Sequence, residues 1–239
     1  MKIQITARFT GAVLFEHEAE NNTLRITLEA AAKAGANLAG AYLAGANLGG
    51  AYLAGAYLAG AYLGGTYLVG ANLVGTYLVG AYLAGANLGG AYLAGANLAG
   101  ANLVGANLAG ANLVGTYLAS ANLVRAYLAG ANLAGANLVG TYLVRAYLAG
   151  ANLEGEVLNK APISLINLQW SILITGQYMR IGCQRHTHEE WRDFTDAKIR
   201  NMAIGALAFW REWKAPLLAI CHANHEGPAD APLAEKVVA

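Results

Sequence analysis

The feature that most constrains this chain is a five-residue period. Residues 36–155 divide without a gap into 24 units, each with Ala or Thr, then Asn or Tyr, then Leu, then two further residues. On an α-helix, five residues turn the chain by about 500°, so successive Leu side chains would spread around the helix. On a straight strand, an odd period places successive Leu side chains on opposite faces. A chain that turns a corner once in each unit keeps every Leu inside, so the sequence predicts a solenoid.

The first unit shows how each position is used. Ala36 and Leu38 are two residues apart and face the same way in an extended segment, whereas Asn37 between them faces the other way. The following pair, Ala39 and Gly40, then makes the corner, and 21 of the 24 units end in Gly, which accepts backbone angles that other residues resist. In four units Thr replaces the first Ala, and by the same parity these Thr side chains should face inward: Thr66, Thr76, Thr116 and Thr141.

This Ala-Asn-Leu-x-x pattern resembles the pentapeptide-repeat proteins, and the resemblance covers 120 of the 239 residues. It implies an all-β solenoid, a right-handed quadrilateral β-helix with four units in each coil, so that 24 units make about six coils. Positions 20 residues apart then stack on one another. We therefore expect one internal ladder of Leu side chains, formed by Leu38, Leu58, Leu78, Leu98, Leu118 and Leu138.

The flanking segments read as covers for the two ends of the solenoid, because open ends expose unpaired backbone and promote association. We expect an N-terminal cap at 1–35, the solenoid at 36–155, a transition coil and Trp-rich helical segment at 156–226, and a flexible tail at 227–239. In the N-terminal cap, two alternating segments flank Thr10 and Gly11, and a short helix is expected to begin at Thr27 and end at Gly35.

The C-terminal segment is predicted to be mainly α-helical. The run after Gly155 stays strand-like, and then Thr187 and Glu190 fit a capping box that opens a short helix. A second helical stretch is expected from about Asp196 to Asn224. Its apolar stripe could pack on the last coil or on a second copy of the chain, and it consists of Ala206, Trp210, Trp213, Leu217, Ile220 and Cys221.

Charge and hydropathy exclude several classes of protein. A net charge of +1 with 12% charged residues argues against a nucleic-acid binder, which needs a basic surface. No charged residue lies between Ala34 and Val124, but the Asn and Tyr side chains at every fifth position would be costly in lipid, so we expect no membrane insertion. The N-terminus lacks the continuous apolar segment of a secretory signal, which favours a cytoplasmic location.

The outward position of the units holds 12 Asn and 12 Tyr and no Asp. Some pentapeptide-repeat proteins resemble duplex DNA through rows of surface carboxylates and bind type II topoisomerases. Here the tract carries only Arg125, Arg145 and Glu154, so its surface cannot imitate a polyanion. Regulation of a DNA gyrase or other topoisomerase is therefore the alternative function rather than the first.

Aromatic residues supply the candidate interaction surface. Tyr42, Tyr62 and Tyr82 are spaced by 20 residues and should stack on one face, as should Tyr57 with Tyr77 and Tyr127 with Tyr147. Such a strip could contact a partner, but Tyr rings also cover the backbone of neighbouring coils. Stacked Asn side chains are expected to form hydrogen-bonded ladders. Trp210 and Trp213 complete the candidate interaction residues.

Two pairs of Cys and His are the candidate metal ligands. The segments Cys183-x-x-His186 and Cys221-x-x-x-His225 could together complete a tetrahedral zinc site. The alternative is a packed Cys with surface His side chains. Thiol chemistry by Cys183 with His186 is a third reading, but no orienting group can be named for it.

The sequence thus predicts no catalytic residues and, apart from that zinc, no cofactor. The predicted function is a non-enzymatic structural or protein-interaction scaffold. The resemblance implies pairing through an end, so we expect a homo-oligomer assembled through the C-terminal segment, with no nucleic-acid or membrane partner.

Overall fold

The computed structural model describes residues 1–153, 156–158, 162–165 and 168–226, with only the backbone of 225 and 226. The chain divides into two compact units, Met1–Ser164 and Leu165–Ala239. The first contains the N-terminal cap and the repeats, and the second contains a small sheet and three helices. The predicted tail at 227–239 lies outside the described residues.

Parallel bridges link the repeats into coils. Every bridge in the tract joins an outward residue to the outward residue 20 positions later, from Asn37 with Tyr57 to Asn132 with Asn152. Backbone hydrogen bonds flank each bridge: the amide of Leu38 donates to the carbonyl of Tyr57 at 2.9 Å, and the amide of Tyr62 donates to the carbonyl of Ala41 at 2.8 Å. Twenty residues contain four units, so each coil has four short sides, as the resemblance to pentapeptide-repeat proteins implied.

The corners depend on a left-handed residue at the end of each unit. In the described units this residue has φ between 57° and 71°, and the amide that follows closes the turn, as in the 3.0 Å hydrogen bond from Ala41 to the carbonyl of Leu38. A Cβ at most of these Gly residues would meet no atom within 4 Å. Gly is therefore selected for its conformation and not for space. Ser120, Arg125 and Arg145 adopt the same angles, φ 57–58°, against the preference of ordinary residues.

The outward Asn side chains form local turns, and our expectation of hydrogen-bonded Asn ladders was wrong. In 11 units the Asn Oδ1 accepts the backbone amide two residues later, as Asn37 does from Ala39 at 3.0 Å and Asn132 does from Ala134 at 3.1 Å. This is the Asx-turn geometry, in which the side chain satisfies a corner amide. Asn is thus a corner-forming residue as well as a surface residue.

Leu side chains fill the interior of the coils in the predicted ladder. Leu38, Leu58, Leu78, Leu98 and Leu118 are each at most 1% exposed. The sixth member, Leu138, departs from this pattern because it is only half-buried. Near this end the chain reverses direction, since Asn152–Leu153 (β3) pairs antiparallel with Glu156–Val157 (β4). A further parallel coil would place another Leu beside Leu138. The reversed segment does not continue the coil in this way, so Leu138 is less fully covered than the other members of the ladder.

The four Thr residues of the tract are buried, as their parity predicted. Each hydroxyl donates to a Leu carbonyl, for example Thr116 to Leu113 at 2.7 Å and Thr141 to Leu118 at 3.0 Å. A buried hydroxyl is costly only when it lacks a partner. Thr therefore replaces Ala in the core without leaving an unpaired polar group.

Two strands and one helix form the N-terminal cap. Lys2–Thr6 (β1) pairs antiparallel with Val13–Glu18 (β2), and a helix, α1, spans Leu24–Lys33. The strands agree with the sequence prediction, but the helix begins earlier than predicted. Its N-cap is Thr23, whose hydroxyl accepts the amide of Ile26 at 3.2 Å. Thr27, predicted as the cap, is buried inside the helix and donates to Asn22.

The cap satisfies backbone groups of the first coil that have no earlier coil to pair with. The amide of Tyr42 donates to the carbonyl of Thr6 at 2.9 Å, and the amide of Tyr52 donates to the Glu29 carboxylate at 3.0 Å. In this case the cap is the donor: the amide of Arg8 donates to the carbonyl of Gly40, in the first coil, at 2.9 Å. Two of the four sides of the first coil are therefore hydrogen-bonded to the cap through their outward amides.

The C-terminal unit contains more β-structure than the sequence suggested. Ile163–Leu165 (β5) lies at the boundary of the units, and beyond it Ile172–Ile174 (β6), Tyr178–Ile181 (β7) and Gln184–Thr187 (β8) pair antiparallel in order. The hairpin of β7 and β8 was not predicted. The β8 sequence, Gln-Arg-His-Thr, has no apolar alternation that would identify a strand.

Three helices follow the sheet. The first, α2, spans His188–Asp193 and has the predicted capping box between Thr187 and Glu190. The single long helix expected after it is divided into α3 (Asp196–Arg200) and α4 (Ala206–Glu226). The break, residues 201–205, ends at Gly205, which has φ 81°, a conformation outside the right-handed helical region. Pro216 lies inside α4, which continues through it.

The first prediction concerns the Leu ladder. Replacing Leu98, which lies near the middle of the tract, with Lys would force an ammonium group into a closed interior, and we expect loss of soluble folded protein. Circular dichroism and sedimentation of the expressed protein measure this.

The matched control is Tyr92→Lys, at an outward position where the side chain is exposed. It should remain soluble and change the free energy of unfolding by only about 0.5 kcal/mol. A Leu98→Lys protein that unfolds cooperatively without aggregation would contradict the core assignment.

Candidate interaction surfaces and metal-ligand candidates

The predicted Tyr strip is present. The ring centroids of Tyr42 and Tyr62 lie 5.7 Å apart, and those of Tyr62 and Tyr82 lie 4.7 Å apart, with nearly parallel planes in both pairs. The guanidinium of Arg8, from the N-terminal cap, lies 3.8 Å from the centre of the Tyr62 ring. The other two predicted pairs also stack, with centroids 4.9 Å apart: Tyr57 with Tyr77 and Tyr127 with Tyr147.

Several contacts indicate that the Tyr rings cover the corners of the coils. The ring of Tyr67 lies against Gly49, where an added Cβ would be 3.0 Å from Cε1, and the ring of Tyr82 lies in the same way against Gly64. Tyr62 and Tyr82 are half-buried, and Tyr42 is more exposed. The strip therefore protects backbone, which supports the structural interpretation over a dedicated binding surface.

Trp210 and Trp213 differ in their surroundings. Trp210 is only 2% exposed and packs within the C-terminal unit, with its ring centroid 5.1 Å from that of Trp191. It is a core residue there, so its predicted role in contacting a partner is not supported. Trp213 is half-buried and stacks with Phe209 at 6.1 Å, and it remains an interaction candidate.

The apolar stripe of α4 packs on other elements of its own unit, among them α2 and α3 and strand β7. Cys221 Sγ lies 3.9 Å from Met179 Sδ on β7, and the side chain of Asn224 donates to the carbonyl of Thr175 at 3.0 Å. Leu217 is also buried, whereas Ile220 is half-buried. The buried part of the stripe thus has its partner within the unit.

The structure places the predicted metal ligands in different environments. Cys183 is exposed, whereas Cys221 is buried, and burial raises the pKa of the Cys221 thiol to about 11. His186 packs edge-on against two aromatic rings, with its centroid 5.3 Å from that of Trp191 and 4.7 Å from that of Phe194. The fourth candidate, the side chain of His225, lies outside the described residues.

Within the described part of the chain, no three His, Cys, Asp or Glu side chains are grouped closely enough to hold a metal ion. A thiol with a raised pKa also gives up its proton to a metal less readily. The zinc site therefore stays a prediction, to be tested by metal analysis of the purified protein. For the third reading, thiol chemistry at Cys183 and His186, the structure places the Glu190 carboxylate 3.7 Å from His186 Nδ1. The same carboxylate oxygen accepts the amide of Thr187 at 2.8 Å in the capping box of α2.

One cavity was missed by sequence reasoning. It lies in the C-terminal unit, has a volume of about 70 Å³, and its wall includes Trp170, Trp191, Ile199, Ala206, Phe209 and Trp210. The separate Trp residues gave a signal in the composition, but the hairpin and the division of the helix, which create the space between them, were not predicted.

In the segments covered by the structure, no helix has both the length and the hydropathy needed to cross a bilayer.

These features define a repeat solenoid with a hydrogen-bonded N-terminal cap. The family profile described as pentapeptide repeats matches the chain in eight copies, at residues 36–75, 76–115, 86–123 and 121–159. These matches span more than half of the sequence, and the chain belongs to the pentapeptide repeat family. Proteins of this family adopt a right-handed quadrilateral β-helix.

Solved structures of pentapeptide repeat proteins match part of this chain. HetL, a pentapeptide repeat protein involved in heterocyst differentiation regulation in Nostoc sp. strain PCC 7120, is 37% identical over 52% of this chain and 62% of its own, with a TM-score of 0.22. Rfr23 from Cyanothece 51142 is 37% identical over 40% of this chain and 63% of its own, with a TM-score of 0.26.

A pentapeptide repeat protein from the thylakoid lumen of Arabidopsis thaliana is 27% identical over 48% of this chain and 63% of its own, with a TM-score of 0.28. The chain thus spans less than two thirds of the length of these three structures. A search of curated proteins found no match.

The second prediction concerns the two thiols. Raising the pKa of Cys221 from 9.0 to about 11 lowers its thiolate fraction near pH 8 by roughly a hundredfold, and burial restricts access further. Iodoacetamide should therefore modify the native chain once, at Cys183, as read by mass spectrometry.

The control variant Cys183→Ser should acquire no adduct on the same timescale, and denaturant should expose Cys221 in both proteins. Equal rates at the two cysteines in the native chain would contradict the burial of Cys221.

Proposed function

We propose that this protein is a non-enzymatic scaffold, a right-handed solenoid of about six coils that assembles through its C-terminal end. The observation that supports this most strongly is the covered edge of the first coil. There the amides of Tyr42 and Tyr52 are already bonded to Thr6 and Glu29. An edge with two of its four outward amides bonded to the cap is a poorer template for a further strand than an open one.

The sides of the solenoid favour a structural role over a catalytic one. Asn side chains are used in corner turns, and Tyr rings lie on coil corners or stack on one another. The tract has only three charged residues, so it lacks the clustered titratable groups on which acid–base and nucleophilic catalysis depend. A regular core with a nearly uncharged surface suits a spacer that holds other elements at a fixed separation.

Assembly through one end would give a closed dimer and not a fibre. If both ends were free, head-to-tail pairing could continue without limit, whereas a contact made by one end with its own copy closes by two-fold symmetry. The C-terminal unit offers Trp213, a large half-buried aromatic residue of the kind enriched at interfaces. We place the dimer contact on this side of α4.

A cytoplasmic location is retained as part of the same proposal.

Regulation of a topoisomerase remains the alternative, but the sequence of the repeat tract does not favour it. The outward position of the units carries no Asp, so the rows of carboxylates that would imitate DNA are absent from the sequence of the tract. A gyrase supercoiling assay separates the two functions, and the scaffold proposal expects no change in the rate of supercoiling.

The third prediction is the mass in solution. The chain has a mass of 24.8 kDa, so multi-angle light scattering should give about twice this value at micromolar concentration. Trp213→Glu should shift the population toward the monomer, because a carboxylate would be desolvated in the contact. A wild-type mass of one chain over the whole concentration range would refute the proposed assembly.

The matched control is Ala208→Glu, at an exposed position of the same helix. It adds the same charge away from Trp213 and should leave the mass unchanged. Phe9→Glu in the N-terminal cap, where the Phe side chain is exposed, tests the other end. If Phe9→Glu dissociated the dimer and Trp213→Glu had no effect, the contact would lie in the N-terminal cap, and the proposed C-terminal assembly would be wrong.

A further inference from the structure

Ile204 is an apolar side chain that the fold of the C-terminal unit holds in solvent. It lies between α3 and α4 and is 99% exposed. The amide of Ala206 donates to the carbonyl of Ala203 at 3.1 Å, which closes a tight turn with Ile204 and Gly205 at its centre. Gly205 has φ 81°, the left-handed value that the third residue of a type II turn takes. The turn thus directs the Ile204 side chain away from its own unit.

The same turn forms part of the mouth of the cavity. Ala203 and Ala206, its first and last residues, both line the cavity, and so does Cys183 from the segment between β7 and β8. Ala203 and Cys183 are exposed, so the cavity opens to the surface beside Ile204. An exposed apolar side chain and an apolar opening therefore lie next to each other on one surface of the unit.

The cavity has room for the end of an aliphatic side chain. Its volume is about 70 Å³, and a cavity of about 150 Å³ holds the six carbons of benzene. At the same volume for each carbon, this cavity holds about three carbons, which is the part of an Ile side chain beyond Cβ. The lining residues are mostly aromatic or aliphatic and carry no formal charge. Such a lining favours a small apolar group over water, which needs about two to four polar partners.

We propose that two copies of the chain exchange these side chains, so that Ile204 of each copy inserts into the cavity of the other. A contact with two-fold symmetry requires one surface to carry both the inserted group and the site that receives it. Ile204 and the cavity meet this requirement because they lie side by side. The inference rests on the proposed assembly through the C-terminal unit and names the side chains that hold the two copies together.

Two further observations support this placement. Phe209 lines the cavity, and its ring stacks on that of Trp213 with centroids 6.1 Å apart, so the exchange adjoins the side of α4 on which we placed the dimer contact. Residues 201–210 include no charged side chain, so two copies of this surface meet without like-charge repulsion from it. Each insertion also removes from water a side chain that a single chain leaves exposed.

The fourth prediction concerns the affinity of the dimer of full chains. Ile204→Ala removes the three inserted carbons from each copy and should raise the dissociation constant by about a hundredfold or more. Ala203→Leu adds bulk at the mouth from an exposed position and should have a similar effect. Light scattering over a concentration series measures the constant, and circular dichroism checks that each variant is folded.

The matched controls are Val144→Ala and Ala208→Leu. Both positions are exposed, and neither lines the cavity. Val144→Ala shortens an exposed aliphatic side chain on the solenoid, and Ala208→Leu adds bulk on α4. Both variants should dimerise with the affinity of the unchanged protein.

Mixing the two test variants gives a sharper result. Neither variant can form the exchange with its own copy, since Ile204→Ala lacks the inserted group and Ala203→Leu has a blocked cavity. A mixed dimer keeps one of the two contacts, because Ile204 of the Ala203→Leu chain can enter the cavity of the Ile204→Ala chain. Native mass spectrometry of an equal mixture should therefore show mixed dimers in excess of both homodimers.

The outcomes separate this inference from the proposed assembly. If Trp213→Glu dissociates the dimer but Ile204→Ala or Ala203→Leu does not weaken it, the C-terminal contact stands and the exchange is wrong. Mixed dimers at no more than the statistical proportion also overturn the exchange, because Ile204 would then contact some other surface. A wild-type chain that stays monomeric at all concentrations overturns both proposals.

Discussion

The left-handed residue at the end of each unit is the constraint on which the rest of this structure depends. Because the chain turns there at φ near 65°, each five-residue side ends in the same corner, and the fourth corner returns the chain to its starting side. Only then do the carbonyl of Tyr57 and the amide of Leu38 meet, one coil apart. The inward Leu ladder and the outward Asn and Tyr positions are consequences of this closure.

The same closure explains why the surface of the solenoid carries so little chemistry. Each corner amide needs an acceptor, and Asn at the outward position supplies one, while Tyr shields the corner of a neighbouring coil. Side chains with these structural tasks have little freedom to form a site. Outside the repeats, the second unit contains a cavity and a mostly aromatic cluster around Trp191 and Trp210.

The repeats were predictable from sequence because parity alone decides which side chains face inward, and the burial of Leu98 and Thr116 follows from it. Local chemistry also identified the capping box of α2. The half-exposure of Leu138 was not predictable, since it depends on a chain reversal after the last repeats. The cavity was missed for a similar reason: strand β8 has no apolar alternation, so only tertiary packing reveals it.

Cross-linking between outward positions tests the central claim, a coil of 20 residues, most directly. In a Cys183→Ser background, Cys residues introduced at Tyr92 and Asn112, which are bridged across adjacent coils, should join rapidly through a short bifunctional thiol reagent in the native protein. Cys residues introduced at Tyr92 and Asn107 would lie on different sides of the coil and should not join. Efficient linkage of the second pair, or of neither, would contradict a four-sided coil closed by left-handed corners.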